Sequence, residues 1–218
     1  MCGRFSLFNL PELMNEYRVD LPADIMPRYN IAPSQAILAI INDDGYQARQ
    51  LRWGLMPSWS RAGFAGIINA RAETVDQKPS FKQSFRRRRC LIPADGFYEW
   101  KKEEKRKQPY RITLKNREVF AFAGLWETWT SPSGDTINSA AIITTAPNAA
   151  IRPIHNRMPV ALPKTAESVW LDDEADHPTL KSLLIPYRSE QMVMYPISNR
   201  VNSARNDSPD VLTPLSGT

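Results

Sequence analysis

CLIPADGFYEW (residues 90–100), QPYRITL (108–114), EVFAFAGLWETWT (118–130) and INSAAIITT (137–145) are four successive runs rich in β-branched and aromatic residues. The charged KKEEKRK and the turn-forming SPSGD separate them, which predicts four consecutive strands in an antiparallel, partly closed sheet. Upstream, AILAIIN and QARQLRW flank the turn signal DDGY, so residues 36–53 read as a hairpin leading into WGLMPSW. A last strand is expected at MVMYPI (192–197).

Helical patterns are short and peripheral. NLPELMNEYRV (9–19) places Leu10, Leu13, Met14 and Tyr17 at helical spacing, with Asn9 as N-cap and Pro11 and Glu12 in the first turn. KPSFKQSFRR (78–87), TAESVWL (165–171) and PTLKSLL (178–184) are further helical segments, and the proline-rich 20–35 is an irregular connection. The expected class is α+β: a single domain over residues 1–218 with a β-rich core, loosening after about residue 205.

The 218 residues, 42% hydrophobic and 23% charged, suit a soluble globular protein, and no apolar run approaches the roughly 20 residues of a membrane span. The start lacks a basic segment followed by an apolar run, so the protein is expected to be cytoplasmic, not secreted. A net charge of +5 favours an anionic partner such as a phosphate backbone. Two cysteines, Cys2 and Cys90, do not make a disulfide framework. Together with His155 and His177 they lack the paired spacing of a zinc site, so neither metal nor cofactor is expected. Cys90 is expected in the core and His177 at the surface.

Cys2 is the residue whose position carries chemistry. Once Met1 is removed it holds an amine and a thiol on one Cα, with pKa values of about 8 and 8.5. The amine condenses with an aldehyde, and the thiol closes a five-membered thiazolidine on the same carbon at high effective concentration. A retained Met1 would make that nitrogen an unreactive amide. His155, in a loop bracketed by Pro153 and Pro159, is either an acid/base group or an ordinary loop histidine. Glu99 acquires a raised pKa if strand alternation turns it inward among Phe97, Tyr98 and Trp100. Asn69 and Arg71 share one face of an extended segment and suit orienting a nucleophile and holding a phosphate. Trp53 and Trp59 of WGLMPSW either stack on bases or fill the core, and Arg86–Arg89 is either a phosphate patch or a solvated face.

In MCGRF, RYNIAP, WGLMPSW, INARAET, CLIPADGFYEW and IHNRMPV, in that order, the sequence resembles the SRAP family, the SOS-response-associated peptidase-like proteins that process abasic sites in DNA. YPISNRVNSARNDSP looks like the family's closing motif. The resemblance implies a mixed, largely antiparallel barrel-like β-core, binding to single-stranded DNA, and a covalent link between Cys2 and the ring-opened abasic deoxyribose. It implies that Asn69 positions Cys2, that Glu99 is the acid/base group for Schiff-base formation and ring closure, and that His155 protonates the sugar oxygen. DNA contacts are implied for Arg4, Pro33, Trp53, Trp59, Arg71, Arg157 and Met158. A monomer is expected. Lyase activity and cleavage of the protein's own N-terminus are associated expectations. A Cys-dependent peptidase with His155 as base, and a non-catalytic single-stranded DNA-binding module, are the competing readings.

Overall fold

The computed structural model describes residues 2–104 and 106–215. Its strands are β1 (Phe5–Leu7), β2 (Arg28–Ile31), β3 (Ala36–Asn42), β4 (Tyr46–Trp53), β5 (Asn69–Arg71), β6 (Arg89–Ala94), β7 (Gly96–Lys102), β8 (Lys107–Leu114), β9 (Phe120–Thr130), β10 (Thr136–Thr145), β11 (Met158–Pro159) and β12 (Met192–Pro196). The helices are α1 (Leu10–Tyr17), α2 (Pro79–Arg87), α3 (Lys164–Leu171) and α4 (His177–Ser182). The class is α+β, as expected.

Two sheets carry the fold. One runs β12-β8-β7-β1-β2, antiparallel throughout. In the other, order β11-β10-β4-β3-β6-β9, a further β9–β10 pairing closes β10, β4, β3, β6 and β9 into a ring with β11 outside it. This second sheet is mixed, because β10 runs parallel to both β4 and β5. The four consecutive strands expected in one sheet are therefore divided: β6, β9 and β10 enter the ring, whereas β7 and β8 belong to the other sheet.

Asp95 explains the division. CLIPADGFYEW is two strands, and the chain changes sheet at this buried carboxylate between them. Asp95 accepts from Ser6 Oγ at 2.5 Å, from the Phe8 N–H at 2.5 Å and from the Arg111 guanidinium at 3.3 Å. These partners come from β1, the residue after it and β8, so the corner is fixed by contacts distant in sequence. The two sheets meet through edge-on rings: Phe5 lies 5.2 Å from Trp53 and 5.9 Å from Phe122, and Phe97 lies 5.9 Å from Phe122.

RRRR is not a phosphate patch along its whole length. Arg89 is buried and donates to the carbonyls of Phe85, Arg86, Trp170 and Asp172, satisfying carbonyl groups at the ends of α2 and α3. Arg88 pairs with Glu127 and is partly exposed, and Arg86 and Arg87 face solvent. Between residues 201 and 212 the chain is anchored to the domain: Val201 and Val211 are buried with Tyr98 and Ile197 in a second, smaller core on the outer face of the first sheet.

WGLMPSW leaves the ring at a narrow neck, where Leu55 and Ile67 exchange hydrogen bonds of 3.0 and 2.9 Å. Gly66 has φ +87°, and a Cβ there would fall 2.3 Å from the Gly54 carbonyl oxygen. Gly66→Ala is expected to cost roughly 2 kcal/mol or more, since a backbone clash adds to the strain of positive φ. An unchanged urea midpoint would show that the neck is not closed in this way.

Candidate active site

The pairing of β1 with β7 brings the chain's start to the site. Phe5 opposes Phe97, Ser6 opposes Gly96, and the Tyr98 N–H donates to the Arg4 carbonyl at 3.0 Å. Continued in this register, the first residues run alongside Glu99. Cys2 is fully buried. Burial, and then the Glu99 carboxylate, push its thiol far above the ordinary range, against a smaller opposing effect of the Arg4 N–H. The thiol is therefore neutral in this arrangement.

Asn69 holds Cys2 from the other sheet. The parallel pairing of β5 with β10 sets Asn69 beside Ile142, and its Nδ2 donates to the Cys2 carbonyl at 2.8 Å. Its Oδ1 is buried without a hydrogen-bond partner among the described residues, leaving one acceptor at the chain's start. Arg71, two residues on, is exposed.

Glu99 is 2% exposed and lies on the same face of β7 as Phe97. Tyr98 and Trp100 point to the other face, into the smaller core, so the space between the sheets, not those two rings, desolvates the carboxyl. Burial raises its pKa to about 7. His155 Nδ1 is 3.9 Å from Glu99 Oε2. Burial lowers the imidazole's pKa, so both groups are shifted toward their neutral forms, and at this separation they are close neighbours rather than a hydrogen-bonded pair. Nδ1 lies 3.0 Å from the Arg157 N–H and 3.1 Å from the Arg157 carbonyl oxygen, so the loop backbone offers it a donor and an acceptor and holds the ring in either tautomer.

Cys2, Asn69, Glu99 and His155 are thus brought together from the chain's start, β5, β7 and the loop between β10 and β11. The remaining sequence candidates divide. Trp59 is 66% exposed and Arg71 faces solvent, while Pro33 is half-buried at the turn before β3. Trp53 is fully buried with Nε1 donating to the Ile68 carbonyl, and Met158 is fully buried in β11. Arg157 grips both oxygens of Glu73, at 2.6 and 2.9 Å, and the Thr144 carbonyl at 2.6 Å. Arg4 donates to Asn30 Oδ1 and the Val201 carbonyl, turned into the protein.

Sequence reasoning overlooked Glu73, which sits inside INARAET and anchors Arg157. It also overlooked Asn148, which fixes the start of the His155 loop by accepting from the Ile151 N–H at 2.9 Å and donating to the Tyr187 carbonyl at 2.7 Å. The Pro-Asn pair in APNAA is the turn signal that marks it. A cavity of about 600 Å³ lined by Phe85, Arg86, Arg87 and His177 lies elsewhere, with no member of the site in its wall. No helix among the described residues is long and apolar enough to cross a membrane.

Comparison with known proteins matches this arrangement to a family. The chain is 46% identical over 221 residues to the Bacillus subtilis abasic site processing protein YoqW, covering 97% of this chain and 99% of that protein. It is 31% identical to the Xenopus tropicalis abasic site processing protein HMCES, covering 76% of this chain and 56% of that longer protein. A crystal structure of a Bacteroides thetaiotaomicron protein superposes with a TM-score of 0.89 at 26% identity, covering 99% of this chain and all of that one. The SOS response associated peptidase (SRAP) family pattern extends over residues 1–204, which takes in all four residues gathered around Cys2, and the chain belongs to that family.

Proposed function

We propose that this protein processes abasic sites in single-stranded DNA by linking Cys2 covalently to the ring-opened deoxyribose, in the cytoplasm and as a monomer. The observation that carries this reading is the convergence of Cys2, Asn69, Glu99 and His155 in one site between the sheets. The names of the relatives supply the lesion. Chemistry begins when removal of Met1 frees the Cys2 amine.

An abasic deoxyribose is mostly a closed hemiacetal, so its ring must open before an amine can attack. His155 donates a ring proton to the sugar oxygen. The Cys2 amine then adds to the aldehyde carbon, and loss of one water leaves an imine. Glu99, poised near pH 7, moves the protons of this dehydration. The neutral thiol adds across the imine: sulfur bonds to carbon, and the S–H proton reaches nitrogen by way of the Glu99 carboxylate. Asn69 keeps amine and thiol in reach through the Cys2 carbonyl.

Closure of the thiazolidine removes the imine from which β-elimination of the 3′ phosphate would proceed, so the thiol selects shielding of the lesion over strand cleavage. Exposed Arg71 and Trp59 serve the DNA, the first through a phosphate and the second by stacking on a base. Incubation with single-stranded DNA carrying one abasic site, followed by a denaturing gel, tests the reading. The wild-type chain lacking Met1 is expected to give a heat-stable band and Cys2→Ser none. A band of equal strength with Cys2→Ser would refute it, and cleavage of peptides instead would favour a Cys-dependent peptidase.

A further inference from the structure

We infer that Asn30 is a positioning residue for this reaction, acting through Arg4 to hold the start of the chain, with residues 199–207 as the strap that locks the pair. The inference rests on the covalent reading of Cys2. Arg4 lies two residues beyond Cys2 and within hydrogen-bond reach of β7 through its carbonyl. Its NH1 donates to Asn30 Oδ1 at 2.8 Å and to the Val201 carbonyl at 2.7 Å, and its guanidinium lies 5.9 Å from the centre of the Trp100 ring.

Asn30 is fully buried. Beyond the acceptor it offers Arg4, its Nδ2 faces the carbonyls of Val201, Ser203 and Asn206 at 3.2, 3.0 and 2.7 Å. Asp207 then accepts from the N–H groups of Tyr29 and Asn30 at 2.6 and 2.8 Å and pairs with Arg28. Trp100 Nε1 donates to Asn202 Oδ1 at 2.7 Å, and the Tyr98 hydroxyl donates to the Tyr29 carbonyl at 2.6 Å. One amide therefore ties together β2, the chain's first residues and a segment about 170 residues later.

Only a primary amide does this. It supplies an acceptor for the guanidinium and donors for the carbonyls, whereas a carboxylate would oppose those carbonyls with a second oxygen. The consequence falls on Cys2, because the Arg4 side chain adds a third tether to the Asn69–Cys2 and Tyr98–Arg4 hydrogen bonds that hold its flanking backbone, and a displacement near 1 Å can cost on the order of 100-fold in rate. This role also gives a use to the closing motif YPISNRVNSARNDSP, whose Val201, Ser203, Asn206 and Asp207 make these contacts.

The two cysteines allow a test with an internal control. The chain lacking Met1 is alkylated with iodoacetamide, and modification of Cys2 and Cys90 is followed separately by mass spectrometry, since both are buried but only Cys2 depends on the strap. In Asn30→Ala, Cys2 is expected to react about tenfold faster with Cys90 unchanged, through local opening. At saturating abasic single-stranded DNA the crosslinking rate should fall about tenfold while the Kd for DNA stays within about twofold. Unchanged alkylation of both cysteines, a parallel rise of both, or weakened DNA binding with an unchanged saturating rate would each overturn the inference. Should Asn30→Ala not fold, Asp207→Asn loosens the same strap and is judged by the same criteria. If the wild-type chain forms no crosslink, the covalent reading fails, and the alkylation contrast alone decides whether the strap positions Cys2.

Discussion

Glu99→Gln is expected to make the protein more stable at pH 8 and nearly inactive. The Glu99 pKa in the folded protein, about 7, lies above its ordinary value of 4.5, so between these values the folded state binds more protons than the unfolded state. The stability this group contributes is fully present below pH 4.5 and is lost as pH rises through 7. A neutral amide avoids burying a charge. The gain at pH 8 should be about 1 to 3 kcal/mol, the upper figure corresponding to the whole shift at 1.36 kcal/mol per pKa unit. Urea midpoints at pH 4, 6 and 8 should show the two proteins separating as pH rises. Crosslinking should fall on the order of 100-fold, and the inflection near pH 7 in the wild-type rate should disappear. A stability difference that does not change with pH would contradict the assignment.

The second large effect is structural. Phe122 is fully buried in β9 where the sheets meet, with Phe5, Phe97 and Phe120 at 5.9, 5.9 and 5.5 Å in edge-on contact. Two of these rings stand on the strands that carry Cys2 and Glu99 into the site. Phe122→Ala removes a ring that three others pack against and leaves a cavity the rigid ring of strands cannot collapse, so a loss of about 3 to 5 kcal/mol is expected from denaturant unfolding. A loss under about 1 kcal/mol would mean that the sheets do not meet through this cluster.

Local chemistry made much of the fold legible. DDGY forms the predicted turn, with Asp44 at φ +52° and Gly45 at φ +120°, and Asn9 Oδ1 caps α1 by accepting from the Glu12 N–H. The helical patterns at 78–87 and 165–171 correspond closely to α2 and α3. What escaped the sequence depends on partners remote along the chain. Nothing in CLIPADGFYEW says that Asp95 will meet Ser6 and Arg111 and send β7 to a second sheet. Nothing in RRRR distinguishes Arg89, whose buried guanidinium serves the ends of two helices, from the exposed arginines before it.

The site divided along the same line. Cys2, Glu99 and Asn69 stood out by chemistry, and the structure places them with His155. Residue type, however, could not show that Trp53 and Met158 are core residues or that Arg4 and Arg157 are occupied by Asn30 and Glu73. An arginine in a basic chain suggests phosphate until its partners are seen. Here two such arginines hold the frame around Cys2, and Arg71 is left exposed.

The most direct test of the account is the intact mass of the complex formed with abasic single-stranded DNA, with and without borohydride present during the reaction. The prediction is one DNA strand plus the chain lacking Met1, minus one water, with no hydrogen taken up from borohydride once the ring has closed, and no adduct from Cys2→Ser. An adduct that persists in Cys2→Ser, or one that borohydride reduces completely at all times, would contradict ring closure by the Cys2 thiol.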